Sequence, residues 1–176
     1  ALRLVTCPQH FSDSPILNIM ESTLMELVAS VDMERTKLII FIHFNDTADH
    51  LVKLLKDYRP ALLNGKVTNK DAQKRKFLDD PACRMLIAHP LSAGAGLNLQ
   101  SVCSDVIFYE CPDSPGDLTQ AEDRVHRITG TDETVNVYFL SPKGTWAAKK
   151  IVQVQKKDSE INKVVGDKTA LLHDLF

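Results

Sequence analysis

Gln120, Arg124 and Arg127 recur at helical spacing, and two guanidiniums one turn apart are the clearest chemical feature of this 176-residue chain. The planar fork of an arginine makes bidentate hydrogen bonds to phosphate oxygens, so two converging forks suit a phosphate. The neighbouring residues predict the helix that presents them. Pro115 fits a first helical turn, and Asp113 or Ser114 can cap it. Leu118, Ala121, Val125 and Ile128 make one apolar stripe. At about 100° per residue, the arginine face points roughly 110° away from that stripe. One face then packs inward while Arg124 and Arg127 project together from the other. The same pattern also describes a surface helix whose arginines pair with Glu122, Asp123 or other neighbours.

Two more stretches could approach phosphates through the backbone. Asn64-Gly65-Lys66 follows a short strand candidate, Ala61-Leu62-Leu63. Gly65 lets the chain come close to a phosphate, with Lys66 and Thr68 beside it; a plain turn glycine accounts for the pattern equally well. Gly65-Lys66 lacks the preceding glycine and the strand–loop–helix context of a P-loop. Further on, small residues dominate His89-Pro90-Leu91-Ser92-Ala93-Gly94-Ala95-Gly96-Leu97-Asn98. The stretch follows the apolar run Arg84–Ala88, at the carboxyl end of a strand, where ligands of open α/β sheets bind. With few β-carbons in the way, its amides can turn toward phosphates; a tight structural turn is the alternative.

Other reactive residue types carry less. His43 has no second ligand at a helpful spacing and reads as a core or edge histidine. Cys7, Cys83, Cys103 and Cys111 contain no Cys-x-x-Cys pair, so neither a zinc site nor a redox motif is written, and no metal is expected here. Nothing in their spacing suggests a disulfide framework, and a reducing compartment is the default.

The elements that must position these residues alternate in type. Ile16, Ile19, Met20, Leu24, Leu27, Val28 and Val31 predict an amphipathic helix from Ile16 to Val31. Lys37–Phe44 is a near-continuous apolar run, the mark of a strand buried on both faces. Asn45, Asp46 or Thr47 can cap the next helix, whose inward face is Ala48, Leu51, Val52, Leu54, Leu55 and Tyr58. Asn69 caps a basic helix through Phe77-Leu78, with Lys70, Lys74, Arg75 and Lys76 on its solvated side. Strands follow at Arg84–Ala88, Asp105–Tyr109 and Val135–Leu140. A last helix opens at Gly144-Thr145 and buries Ala147, Ile151, Val154, Ile161 and Val165, with Trp146 as a core anchor. Lys149, Lys150, Lys156 and Lys157 lie on its other side. The expected fold class is therefore α/β, a mainly parallel sheet covered by helices on both faces.

Composition bounds the rest. A 44% hydrophobic and 25% charged chain is ordinary for a globular domain. The net charge of -2 argues against wholesale electrostatic binding to nucleic acid and leaves only local patches. No apolar run is long enough to span a bilayer, so no membrane partner is expected. The chain opens on Ala1, not Met, and is expected to be a domain cut from a longer protein.

Gln120-Ala121-Glu122-Asp123-Arg124-Val125-His126-Arg127-Ile128 resembles motif six of the Swi/Snf-type branch of helicase superfamily two. Asp123 stands where the RNA-helicase branches usually have glycine, and Ile128-Thr129-Gly130 replaces the usual Ile-Gly-Gln. The stretch His89–Gln100 resembles motif five, in a Pro-Leu-Ser-Ala-Gly variant similar to compact bacterial and phage members. The strand and helix around Asn45 resemble motif four, and Asn64-Gly65 resembles the turn of the next element. Cys111-Pro112-Asp113-Ser114-Pro115 stands where many members carry Trp-Asn-Pro.

The resemblance implies the second RecA-like lobe of a DNA translocase or helicase. Residues 1–15 would be a lead-in, 16–176 the lobe, and about 145–165 a bracing helix. It implies catalytic roles for Arg124 and Arg127, nucleotide contacts at Gly96, Gln120, Arg124 and Arg127, and DNA contacts at Asn45, Gly65, Lys66, Ser92, Gly94 and Asn98. It implies double-stranded DNA, a first RecA-like lobe of the same polypeptide, and ATP with Mg2+ held mainly by that lobe. This chain contains neither Gly-x-x-x-x-Gly-Lys-Ser/Thr nor an acidic Walker B strand. Alone it is expected to be inactive as an ATPase. A cytoplasmic setting, in a bacterial or phage-infected cell, goes with that branch. The rival reading is a RecA-like module that binds DNA or protein without hydrolysis. A Rossmann-type domain would need a glycine fingerprint after its first strand, and Phe44-Asn45-Asp46-Thr47 is not one.

Overall fold

Leu38, Ile39, Ile40 and Phe41 are all buried, because their strand lies at the centre of a sheet with helices above and below. The computed structural model describes residues 15–93, 103–110 and 136–142, with the helical positions Lys149, Val152 and Lys156. Its elements in order are α1 (Pro15–Ser30), β1 (Lys37–Phe41), α2 (Asn45–Leu54), a 3-10 turn (Lys56–Tyr58), β2 (Ala61–Leu63), α3 (Lys70–Asp79), β3 (Met85–Ala88), the short α4 (Pro90–Ala93), β4 (Cys103–Phe108) and β5 (Asn136–Phe139). The strands run β2-β3-β1-β4-β5 across one sheet, and every pairing is parallel. This is the expected RecA-like α/β architecture.

The side-chain alternation of a strand divides the core in two. Ile39, Phe41, Leu63, Leu86, Ala88, Val106 and Phe108 face α3 and α4, where Phe77 and Ala93 pack. Leu38, Ile40, Met85, Ile87 and Ile107 face α1 and α2, against Met20, Leu24, Leu27, Ala48 and Leu51. On the α3 face an aromatic ladder crosses three strands. Phe41 and Phe108 have ring centroids 5.1 Å apart, and Phe108 stacks on Phe139 at 4.8 Å.

Two local expectations need correction. In α1 the buried stripe is Leu17, Met20, Leu24, Leu27 and Val28, whereas Ile19 is 56% exposed. Ile19 lies roughly 130° from the centre of that stripe at 100° per residue, so apolar character alone does not bury it. The start of α2 is not capped by Asn45, Asp46 or Thr47. Phe44 occupies the cap position, with no side-chain cap hydrogen bond.

Helix α3 is tied down at both ends. Asn69 accepts a hydrogen bond from the Ala72 N–H at 2.9 Å, as expected of a cap. At the other end the Lys37 ammonium, reaching from the start of β1, donates to the carbonyls of Phe77, Leu78 and Asp80. Burial lowers the Lys37 pKa. The same helix also serves β2, which is an edge strand. Gln73 Oε1 accepts the Leu62 N–H at 3.0 Å, and Lys76 Nζ donates to the Pro60 carbonyl at 2.9 Å. These bonds occupy ladder groups that would otherwise be open to another chain. Among the described residues, no helix is long and apolar enough to cross a membrane.

Candidate functional site

An all-parallel sheet delivers the end of every strand to one edge, where the following loops gather. That edge carries His43, Phe44 and Asn45 after β1, Asn64, Gly65 and Lys66 after β2, His89 and Ser92 after β3, and Tyr109 and Glu110 after β4. β3 lies between β2 and β1, so the three loops bearing Gly65, Ser92 and Asn45 follow adjacent strands.

Asn45 is the first residue of α2 and is exposed. Asn64 is 1% exposed, and its Oδ1 accepts the Lys66 N–H at 3.0 Å, closing a tight turn around Gly65. Gly65 is exposed and has no left-handed φ, and a β-carbon built on it meets nothing within 4 Å. The fold itself therefore does not demand a glycine there. The Lys66 ammonium is held by Asp49 of α2.

His89 joins two of these loops. Its N–H donates to the Leu63 carbonyl at 2.8 Å, and its carbonyl accepts the N–H groups of Ser92 and Ala93 at 2.9 and 3.0 Å. Its Nδ1 accepts the Leu91 N–H at 3.3 Å. These bonds shape α4, on which Ser92 sits half-buried. His43 is half-buried, edge-on to Phe44 at 5.0 Å and 5.3 Å from the His89 ring, which fits the edge histidine expected from the sequence.

Sequence reasoning missed Glu110. Its carboxylate is buried at the end of β4 and receives hydrogen bonds from the β1–α2 junction. Oε2 accepts the His43 N–H at 2.7 Å and the Phe44 N–H at 2.9 Å, while Oε1 accepts the Thr47 hydroxyl. Burial raises the Glu110 pKa, and the three hydrogen bonds oppose that shift. The one sequence signal was an acidic residue directly after the apolar run Val106–Tyr109.

Gly94, Gly96, Asn98, Gln120, Arg124 and Arg127 lie outside the described residues, as does the predicted arginine helix. Lys149 and Lys156 are helical and exposed, in keeping with a solvated face on the last helix. Among the described residues, no cluster of three or more His, Cys, Asp or Glu could hold a metal ion.

Residues 20–129 match the family model of the helicase conserved C-terminal domain. The chain belongs to this family. Its relatives include Swi/Snf-type ATPases. Over 125 residues the chain is 38% identical to TATA-binding protein-associated factor MOT1 of Saccharomyces cerevisiae, covering 67% of this chain and 6% of that protein. Over 129 residues it is 34% identical to SWI/SNF-related matrix-associated actin-dependent regulator of chromatin subfamily A-like protein 1 of Xenopus tropicalis, covering 70% and 13%. The chain thus spans a small fraction of each of these relatives. The C-terminal part of the Fun30 ATPase domain superposes with a TM-score of 0.66 at 28% identity, over 76% of this chain and 44% of that one. Both named relatives are eukaryotic, so they do not support the bacterial or phage membership expected from the motif-five variant.

Proposed function

We propose that this helicase C-terminal domain is the second lobe of an ATP-dependent DNA translocase, supplying arginines at a cleft with a first lobe and gripping the backbone of double-stranded DNA. The observation that carries the DNA reading is the arrangement of Asn45, Gly65, Lys66 and Ser92 after three adjacent strands at one sheet edge. An exposed asparagine, a lysine and small residues there suit phosphates, which position a duplex without reading its sequence. Gly94 and Asn98 follow Ser92 in the sequence and are assigned with it.

On the nucleotide side, Gly96, Gln120, Arg124 and Arg127 are the residues assigned. ATP would supply the bond that is hydrolysed, and the first lobe would hold it and its Mg2+ for the main part. The arginines place positive charge where it builds on the transferring phosphoryl oxygens, an effect of roughly 10³–10⁵ in rate.

The test is DNA-stimulated ATP hydrolysis and thermal melting of the two-lobed protein with Arg124→Ala or Arg127→Ala. Turnover should fall severely with melting nearly unchanged, and lysine should rescue poorly because a point charge lacks the bidentate fork. Near-normal turnover with a large loss of melting temperature would make both arginines structural. Salt-dependent DNA binding without hydrolysis by the intact protein would favour the non-hydrolysing module instead.

A further inference from the structure

We propose that Glu110 is a positioning residue for DNA binding: its buried carboxylate fixes the β1–α2 junction and thereby sets the place of Asn45. The inference rests on the proposed DNA-facing role of Asn45.

Three donors within residues 43–47 converge on this one side chain. Two consecutive backbone N–H groups, of His43 and Phe44, share Oε2 at 2.7 and 2.9 Å. The Thr47 hydroxyl takes Oε1. Asn45 lies between Phe44 and Thr47, so its backbone is held on both sides by the same carboxylate. α2 has no side-chain cap of its own, because Phe44 at the cap position has no oxygen to offer. Glu110 instead accepts, from a distant strand, the N–H of the cap residue and of the residue before it, as the glutamate of a capping box does for the cap N–H. Both N–H bonds to Oε2 are short and close on a single oxygen, at 2.7 and 2.9 Å. A functional side chain is precise only when its support is itself locked in this way. Asn45 and Thr47 also differ in exposure: Asn45 is open to a ligand, and Thr47 is fully buried as part of the anchor.

Glutamine separates anchoring from charge. Its amide oxygen can accept both N–H groups, and its NH2 can donate to the Thr47 oxygen. Alanine can do neither.

The experiment compares wild type, Glu110→Ala, Glu110→Gln, Thr47→Val, Asn45→Ala and the Glu110→Ala/Asn45→Ala pair in the two-lobed protein. Labelled duplex DNA gives Kd, and DNA-stimulated ATP hydrolysis gives KM for DNA and kcat. Glu110→Ala should raise Kd and KM by roughly 3- to 10-fold, the effect of one lost hydrogen bond, with kcat at saturating DNA within about twofold. Glu110→Gln should bind close to wild type. Thr47→Val, the milder change should the alanine variant fail to fold, should shift Kd in the same direction by less. The double variant should be no worse than the weaker-binding single variant, because Glu110 acts through Asn45.

Unchanged DNA affinity in Glu110→Ala, or effects that add in the double variant, would overturn the inference. So would a fall in kcat at constant KM that follows the loss of melting temperature, which marks a merely structural peg. If wild type shows no salt-dependent DNA binding, the function reading fails and takes this inference with it. If wild type binds and Asn45→Ala binds equally well, Glu110 has nothing to act through, and only the inference falls.

Discussion

The Lys66 ammonium lies 3.0 Å from Asp49 Oδ2, and the two side chains are 56% and 51% exposed. A lysine proposed to meet phosphate is therefore already paired with a carboxylate on the neighbouring helix. At that exposure the pair contributes about 0–1 kcal/mol, so a phosphate can displace Asp49. Asp49→Ala should leave melting nearly unchanged and tighten duplex binding a few-fold at low salt, because it frees Lys66 and removes a repelling charge. Lys66→Ala should weaken binding and reduce the slope of log affinity against log salt by about 1. Anisotropy titrations at several salt concentrations measure both. Identical slopes for wild type and Lys66→Ala would remove Lys66 from the DNA interface.

Gly65 gives a cleaner separation of fold from ligand. A methyl group there meets open space and no left-handed backbone. Gly65→Ala should leave the domain as stable or raise its stability by about 0.4–1 kcal/mol, through the lower entropy of the unfolded chain. DNA affinity should nonetheless fall, because the added carbon stands between backbone and phosphate. Melting and duplex titration of the same preparation decide the matter. Unchanged affinity would leave Gly65 as a turn residue with no ligand role.

Lys37 should show the opposite behaviour. Its ammonium donates to three carbonyls at the end of α3 and lies 5.4 Å from the centroid of the Phe77 ring. Lys37→Met keeps the aliphatic stem and leaves those carbonyls without their partner. It should lower stability by about 1–3 kcal/mol, read by urea unfolding. Lys37 starts β1, at the edge of the sheet away from the candidate site, so DNA affinity well below the melting temperature should not change.

Glu110 makes a pH prediction with a definite sign. Burial raises its pKa above 4.5 in the folded state, so the fold binds this proton more tightly than the unfolded chain does. Its contribution to stability is then greatest when protonated, and it is lost as pH rises from about 4.5 through the raised value. Glu110→Gln cannot ionise. The difference in melting temperature between the variant and wild type should therefore move in the variant's favour across that window and level off above it. A constant difference from pH 4 to 8 would contradict the raised pKa.

Among the described residues, the sequence by itself determined the fold class and the longer elements, because those signals are local and periodic, but not the short helix Pro90–Ala93, read as a loop. The run Lys37–Phe44 announced a strand buried on both faces, which ends earlier, at Phe41, and Asn69 announced the start of α3, since a cap acts within three residues. Where a local rule was ambiguous the reading slipped, as when Ile19 was counted in the buried stripe and Leu17 was not. Tertiary structure decided what is non-local. Strand order sets Gly65 and Asn45 on either side of the β3 loop, although chain order puts the β3 loop last. Glu110 anchors backbone 66 and 67 residues away, and Lys37 closes a helix up to 43 residues away. A single charged residue beside a strand has no period to betray its partner. Only the packing of β4 against β1 brings the Glu110 carboxylate to the amides it holds.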